Sequence, residues 1–215
     1  MIAMMRVVWN SFFVAWAFMC GGCISLSVES NHEPVHTHLL NPEWSEAIAI
    51  HTAGVQNSSV LLVTIPEAQP GFETARMVYL RHPHEIDYYV THQWVESPAR
   101  MMTPMLVQSL ERTGAWKSVV QSPTIVHGDY RLESEQLALE QRFFEQPNRV
   151  RVALRAQLID LKQQRILGIK SLEVFEVGPS EDAQGGVAAA NKAVGRMLDD
   201  LAMWATACVR HAEEC

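Results

Sequence analysis

From Val150 to Leu158 every second residue is apolar: Val150, Val152, Leu154, Ala156 and Leu158, with mostly Arg and Gln between them. A period of two is that of a β-strand with one wet face. Antiparallel sheets give this alternation, whereas buried parallel sheets read as continuous apolar runs. The stretches on either side extend the pattern. Upstream runs Gly128-Asp129-Tyr130-Arg131-Leu132-Glu133, and downstream Leu172-Glu173-Val174-Phe175. Tyr130 and Leu132 share one face, but Leu137 and Leu139 fall on the other parity. A β-bulge between Glu133 and Gln136 returns them to one face. Gln146-Pro147-Asn148 and Lys162-Gln163-Gln164 are the expected hairpin connections.

Two helices frame this sheet. Ser97 suits an N-cap and Pro98 the first helical position, and Met101, Met105, Leu106 and Leu110 follow at helical spacing up to Gly114. The methionines there read as core. A second amphipathic helix is expected from Val187 to Cys208, with Val187, Ala190, Val194, Leu198, Leu201 and Trp204 on one face and Asp199 and Asp200 opposite. Shorter strands are expected at Val60–Ile65, Met77–Leu80, Ile86–Trp94 and Trp116–Val120. The fold class is therefore α+β, a mostly antiparallel sheet with two amphipathic helices packed on one face.

The N-terminus has a different character. Arg6 precedes an apolar run ending Phe12-Phe13-Val14-Ala15-Trp16-Ala17-Phe18-Met19. That is short of the ~20 residues of a bilayer span and reads as an export signal over residues 1–22. Cys20-Gly21-Gly22-Cys23 has redox spacing, but it lacks the folded context that lowers a thiol pKa. Small residues directly before Cys23 resemble a bacterial lipoprotein signal, so Cys23 is the expected lipidation site, carrying diacylglyceryl and palmitate; the alternative is an ordinary secretory signal that happens to end near a cysteine. Ile24 follows instead of Asp, which by resemblance to enterobacterial sorting favours the outer membrane. Residues 23–58, rich in Ser, Asn, His and Pro, read as a tether. Residues 59–208 form the domain, and 209–215 a tail.

Composition excludes some functions. Net charge is −7, and removing the first 22 residues with their single Arg makes it −8. Nucleic acid is a poor partner for such a chain, since affinity for it comes from Lys and Arg on phosphates. No cysteine lies between residues 24 and 207, so no disulfide framework holds the fold. In a continuous helix Cys208 and Cys215 sit ~10.5 Å apart along the axis. They pair only if the chain turns after Val209, a point the sequence leaves open.

The chain carries no familiar catalytic motif. G-x-S-x-G, Walker A, H-E-x-x-H and G-x-G-x-x-G are all missing from the sequence. Glu133, Glu135 and Asp160 read as a solvated face rather than an acid–base pair. His36-Thr37-His38 puts two imidazoles on one strand face, but no third ligand is apparent and the pair reads as solvated. Arg81-His82-Pro83-His84 reads likewise. No enzyme, metal or cofactor is expected.

The order of features resembles the ABC-type transport auxiliary lipoprotein family, over roughly Val60 to Trp204. The resemblance rests on a Cys-terminated signal, a Val-rich first strand ending Ile65-Pro66, Glu85-Ile86-Asp87-Tyr88-Tyr89, and Trp94-Val95-Glu96-Ser97-Pro98 leading into a helix. Gly128-Asp129-Tyr130-Arg131-Leu132-Glu133, Arg155-Ala156-Gln157-Leu158-Ile159-Asp160 and a closing helix complete it. It implies a non-enzymatic component of a lipid transport system. Its partners would be a mammalian-cell-entry (MCE) domain protein, an ABC permease and an ATPase. The protein would be lipid-anchored at the outer membrane facing the periplasm, docking the MCE component, with a homo-oligomer as one form. Tyr88, Tyr89 and Trp94 are the candidate partner interface, because aromatics favour interface centres; Trp94 also reads as core. The rival readings are an assembly-factor lipoprotein and a lipid-cargo-binding lipoprotein.

Overall fold

A computed structural model of the chain describes residues 33–44, 58–210 and 215. The expected signal and Cys23 lie outside the described residues, as do 24–32 and 45–57 of the expected tether. The chain divides into two units, Met1–Glu33 and Pro34–Cys215. Everything that follows concerns the second.

Among the described residues, eight strands and two helices follow in order. They are β1 (His36–His38), β2 (Val60–Val63), β3 (Arg76–Leu80), β4 (Asp87–Trp94), α1 (Pro98–Arg112), β5 (Ser118–Gln121), β6 (Tyr130–Arg142), β7 (Arg149–Asp160), β8 (Arg165–Val177) and α2 (Ala183–Arg210). The fold is α+β, and the sheet is mixed. The long pairings of β6 with β7 and β7 with β8 are antiparallel, as the alternation requires. The short pairings β1–β4, β2–β5, β2–β6 and β3–β6 are parallel, while β3–β4 is antiparallel. Strands of three to five residues carry too little pattern to report their direction, which is why the sequence shows only the antiparallel part.

β6 organises this arrangement. One edge pairs with β7 along its whole length. The other edge is shared, with β2 alongside Tyr130–Leu132 and β3 alongside Glu140–Arg142. Pro66, which has no N–H to give a ladder, follows the end of β2. The chain then bridges to β6 at Ala68–Leu137 before starting β3. The sheet forks there into two wings, β2–β5 and β3–β4–β1.

One face carries the main core. Val150, Val152, Leu154, Ala156 and Leu158 are all buried under α2, with Leu132, Leu139 and Leu172 from the neighbouring strands. α1 packs on β2, β5 and α2. Burying each such side chain contributes ~1.5–3 kcal/mol, so this layer dominates stability. The expected bulge is present but shifted. The β6–β7 register breaks between Glu135 and Ala138, with Gln136 at φ 57°, and Leu137 joins Leu139 in the main core. Ser97 precedes α1 but makes no side-chain cap; its own N–H bonds Glu96 Oε1 at 2.8 Å. Gly114, at φ 63°, takes the left-handed position that ends the helix.

The other face is not wholly wet. Phe72, Val78, Leu80 and Ala138 form a second small core, with Ala68 and Phe144 packed against it. The loop after β2 folds over β6 to make it. Beyond that core an ion-pair ladder covers the face. Glu140, 6% exposed, is held by Arg142 at 2.7 Å and Arg151 at 3.5 Å. Arg155 pairs with Glu135, and Gln157 bonds Glu133 at 2.9 Å.

Both chain ends of the unit are tied down. Cys208 and Cys215 form a disulfide with Cα atoms 5.1 Å apart, which resolves the pairing left open by sequence. A Cβ at Gly168 of β8 would collide with the Cys215 sulfur, so glycine there makes room for the disulfide. Part of the stretch read as a tether is folded. β1 pairs with β4, Leu40 is buried, Asn41 N–H bonds Asn191 Oδ1 at 2.5 Å, and the Arg112 guanidinium lies over the Trp44 ring. Apolar side chains scattered through a polar segment anchored it without leaving a periodic signal.

Candidate functional site

The β3–β4–β1 wing carries the least regular backbone in the sheet. Arg76 pairs with Gln93 and Val78 with Tyr88, so Tyr89 to His92 face Met77 alone. Such bulges re-aim side chains and sit near functional sites. Here the bulge pushes Val90 into solvent, 89% exposed, and turns Tyr89 inward over Tyr79, with ring centroids 4.7 Å apart.

A cleft of about 650 Å³ opens beside the bulge. Tyr79, Arg81, Tyr88, Tyr89, Val90, His92 and Phe143 form one side, and Glu181 and Asp182, just before α2, form the other. Phe143 meets Tyr79 edge-on at 5.9 Å, and the Arg81 guanidinium lies 5.4 Å from the Tyr79 ring centre. Tyr88 is fixed from both ends: its hydroxyl donates to Gly71 O at 3.1 Å, and Arg76 lies 3.6 Å over its ring.

A buried polar network sets the floor. The Tyr89 hydroxyl donates to Gln141 Oε1 at 3.0 Å. Gln141 Nε2 donates to Asn148 Oδ1 at 2.9 Å and to Asp182 O at 3.2 Å. Asn148 Nδ2 donates to Ser180 O at 3.2 Å. Gln141 and Asn148 are 3% and 2% exposed. The network joins β4, β6, the β6–β7 hairpin and the approach to α2, so the cleft walls hold their positions relative to one another.

Charge and burial tune two groups. Burial pushes the Tyr89 hydroxyl well above the usual tyrosine range, with the Tyr79 and Asp182 neighbours adding to the shift and Arg81 opposing it. Tyr89 is thus a neutral donor at any working pH. Asp182 caps α2: its Oδ1 accepts from Gly185 N–H and Ser180 Oγ, each at 2.7 Å. The Gly185 bond first, then the Ser180 bond, hold its carboxyl below the usual range. The cleft offers aromatic faces, one guanidinium and two carboxylates, the surface chemistry of recognition. Among the described residues no three metal-ligating side chains converge.

Of the three aromatic residues singled out by sequence, Tyr88 and Tyr89 line the cleft. Trp94 is 3% exposed and sits in the main core beneath it, so the surface is left to the two tyrosines. Sequence reasoning missed Tyr79, Arg81, Val90, His92 and Phe143. Their chain positions are scattered, and the bulge that gathers them has no sequence signature. Cys23 lies outside the described residues. No helix among the described residues is long and apolar enough to cross a membrane.

Known proteins supply the remaining constraint. No curated protein matches the sequence. Among solved structures, the fold is similar to that of protein XCC0632 from Xanthomonas campestris, of the family DUF330. The TM-score is 0.69 at 19% identity, covering 84% of this chain and 99% of that one. An uncharacterized protein is similar at TM-score 0.60 and 12% identity, covering 80% and 99% of the two chains. At such identities the likeness establishes the fold. The model of the family described as the ABC-type transport auxiliary lipoprotein component matches residues 43–202, starting upstream of the Val60 at which the motif resemblance begins. The chain belongs to the ABC-type transport auxiliary lipoprotein family.

Proposed function

We propose that the protein is the non-enzymatic lipoprotein of an MCE-associated lipid transporter. It is anchored through Cys23 in the outer membrane, faces the periplasm and docks the MCE component. The β3–β4–β1 wing, with Tyr88, Tyr89 and Val90, is the docking surface. A permease and an ATPase complete the system at the inner membrane. A second copy of the chain adds along β8, whose outer edge pairs with no other strand among the described residues.

Family membership supports the transport role. The observation that carries the docking surface is Val90, 89% exposed at the crest of a bulge beside a cleft walled by tyrosines. An exposed apolar side chain ringed by aromatic and charged groups has the composition of an interface centre with a polar rim. The test is recovery of the full-length lipoprotein from its native cells in mild detergent, with mass spectrometry of bound proteins. An MCE-domain protein arriving with its permease or ATPase supports the reading. A β-barrel protein alone would favour an assembly factor, and stoichiometric lipid in an organic extract would favour a cargo carrier.

A further inference from the structure

We propose that β1 is a pH-operated strap: the His38–His92 pair holds it on the edge of β4 while it has taken up at most one added proton, and releases it on taking up two. The proposal is independent of which partner docks on the wing.

β1 has three residues, in register His36 to His92, Thr37 to Gln93 and His38 to Trp94. So short an edge strand has little ladder of its own, and one added backbone bond, Val95 N–H to His38 O at 2.8 Å, extends it. The side-chain fastening is an imidazole pair. His38 Nε2 and His92 Nδ1 lie 2.9 Å apart. Their rings stack at 5.2 Å, and His36 stacks on His92 at 5.1 Å.

The chemistry of that contact counts protons. With both rings neutral, one nitrogen donates and the other accepts. With one added proton, an imidazolium N–H still donates to a neutral nitrogen. With two, both facing nitrogens bear hydrogen, neither can accept, and two like charges meet at contact distance.

Titratable groups on β1, on β4 and on the approach to α2 face the pair. His36 lies on β1. Tyr89 meets His92 edge-on from β4 at 5.9 Å. From the approach to α2, Asp182 lies close enough for the His92 ring to act on its carboxyl. Burial, then the His92 and His36 rings, hold His38 below the ordinary histidine range. A histidine whose folded pKa is depressed leaves the folded contact intact above its unfolded value, about 6.5. Attachment therefore weakens as pH falls below that value.

Release has a defined extent. Leu40 is 4% exposed in the main core, and Asn41 is bonded to α2, so the freed stretch is His36 to Leu39. Extended, it adds about 13 Å to the chain on the N-terminal side, at ~3.3 Å per residue. It also bares the β4 edge at His92–Trp94, next to the cleft.

Hydrogen–deuterium exchange of the full chain between pH 7.5 and 5.0, corrected for intrinsic rates, tests the strap. Protection of the Thr37–Leu39 amides should fall at least tenfold while β7 amides hold. His92→Gln, which can hydrogen-bond without titrating, should abolish that fall. Constant β1 protection down to pH 5.0, or the same fall in His92→Gln, overturns the proposal. If the variant loosens β7 as well, His38→Gln replaces it. If neither variant folds, the wild-type profile decides: a fall confined to β1 supports the strap, and a flat profile rejects it.

Discussion

The β6–β7–β8 meander and the β3–β4–β1 wing belong to one sheet yet follow different rules. In the meander, register runs almost unbroken for a dozen residues, apolar side chains alternate with charged ones, and α2 seals one face. In the wing, strands are short, the β3–β4 register slips by several residues, and aromatic rings face an open cleft. The first arrangement maximises burial. The second spends regularity on placing particular side chains at the surface. The rigid half supplies stability, and the irregular half, pinned to it through Gln141, has the freedom to be shaped for recognition.

The largest expected effect tests where the wing ends and the core begins. Trp94 closes β4 but is buried with the helices. Trp94→Ala should cost ~3–5 kcal/mol in urea unfolding, as large aromatic deletions from cores do. A cost near zero would move Trp94 to the wing surface and blur the comparison.

Next is the pin between the halves. Gln141→Ala strands the Tyr89 hydroxyl and Asn148 Oδ1, both of which it serves. We expect a loss of about 2 kcal/mol, since each buried orphaned group costs ~1–3 kcal/mol. Exchange protection should fall most in β4 and the β6–β7 hairpin.

A smaller effect follows from Asp182, whose carboxylate caps α2 at the cleft. Asp182→Ala should cost about 1 kcal/mol at pH 7, the usual worth of an N-cap. Its pKa is depressed, so its contribution is complete above the unfolded value of about 3.9 and is lost as pH falls below it. Wild-type and variant melting temperatures should therefore converge as pH drops toward 2.

The meander was legible because its signal is local. A period of two over nine residues states both the strand and its buried face, and the parity slip at Leu137 states the bulge to within a few positions. α2 was legible from its 3.6 period, though it begins at Ala183, earlier than Val187, because Asp182 rather than an apolar residue starts it. In the wing, β3 and β4 were legible as strands, but the pairing that adds β1 to them was not. β1 and β4 pair in parallel across 54 residues, and nothing in His36-Thr37-His38 names His92 as its neighbour. That pairing stacks His92 between His36 and His38. Phe72 and Ala138 likewise show that a wet face can be locally roofed by a loop, which alternation alone does not report.

The smallest effect on stability carries the most about function. Val90→Ser replaces a side chain that is 89% exposed, and should change unfolding free energy by less than ~0.5 kcal/mol. The most direct measurement is therefore a quantitative pull-down comparing full-length wild-type protein with Val90→Ser and with a Tyr88→Ala, Val90→Ser double variant, all at equal expression. The account predicts an MCE-domain protein bound to wild type, reduced several-fold by Val90→Ser and further by the double variant, with Val90→Ser melting as wild type does. Equal recovery of that partner by all three would contradict the wing as the docking surface. Failure of wild type to recover any MCE-domain protein would contradict the transport role proposed for it.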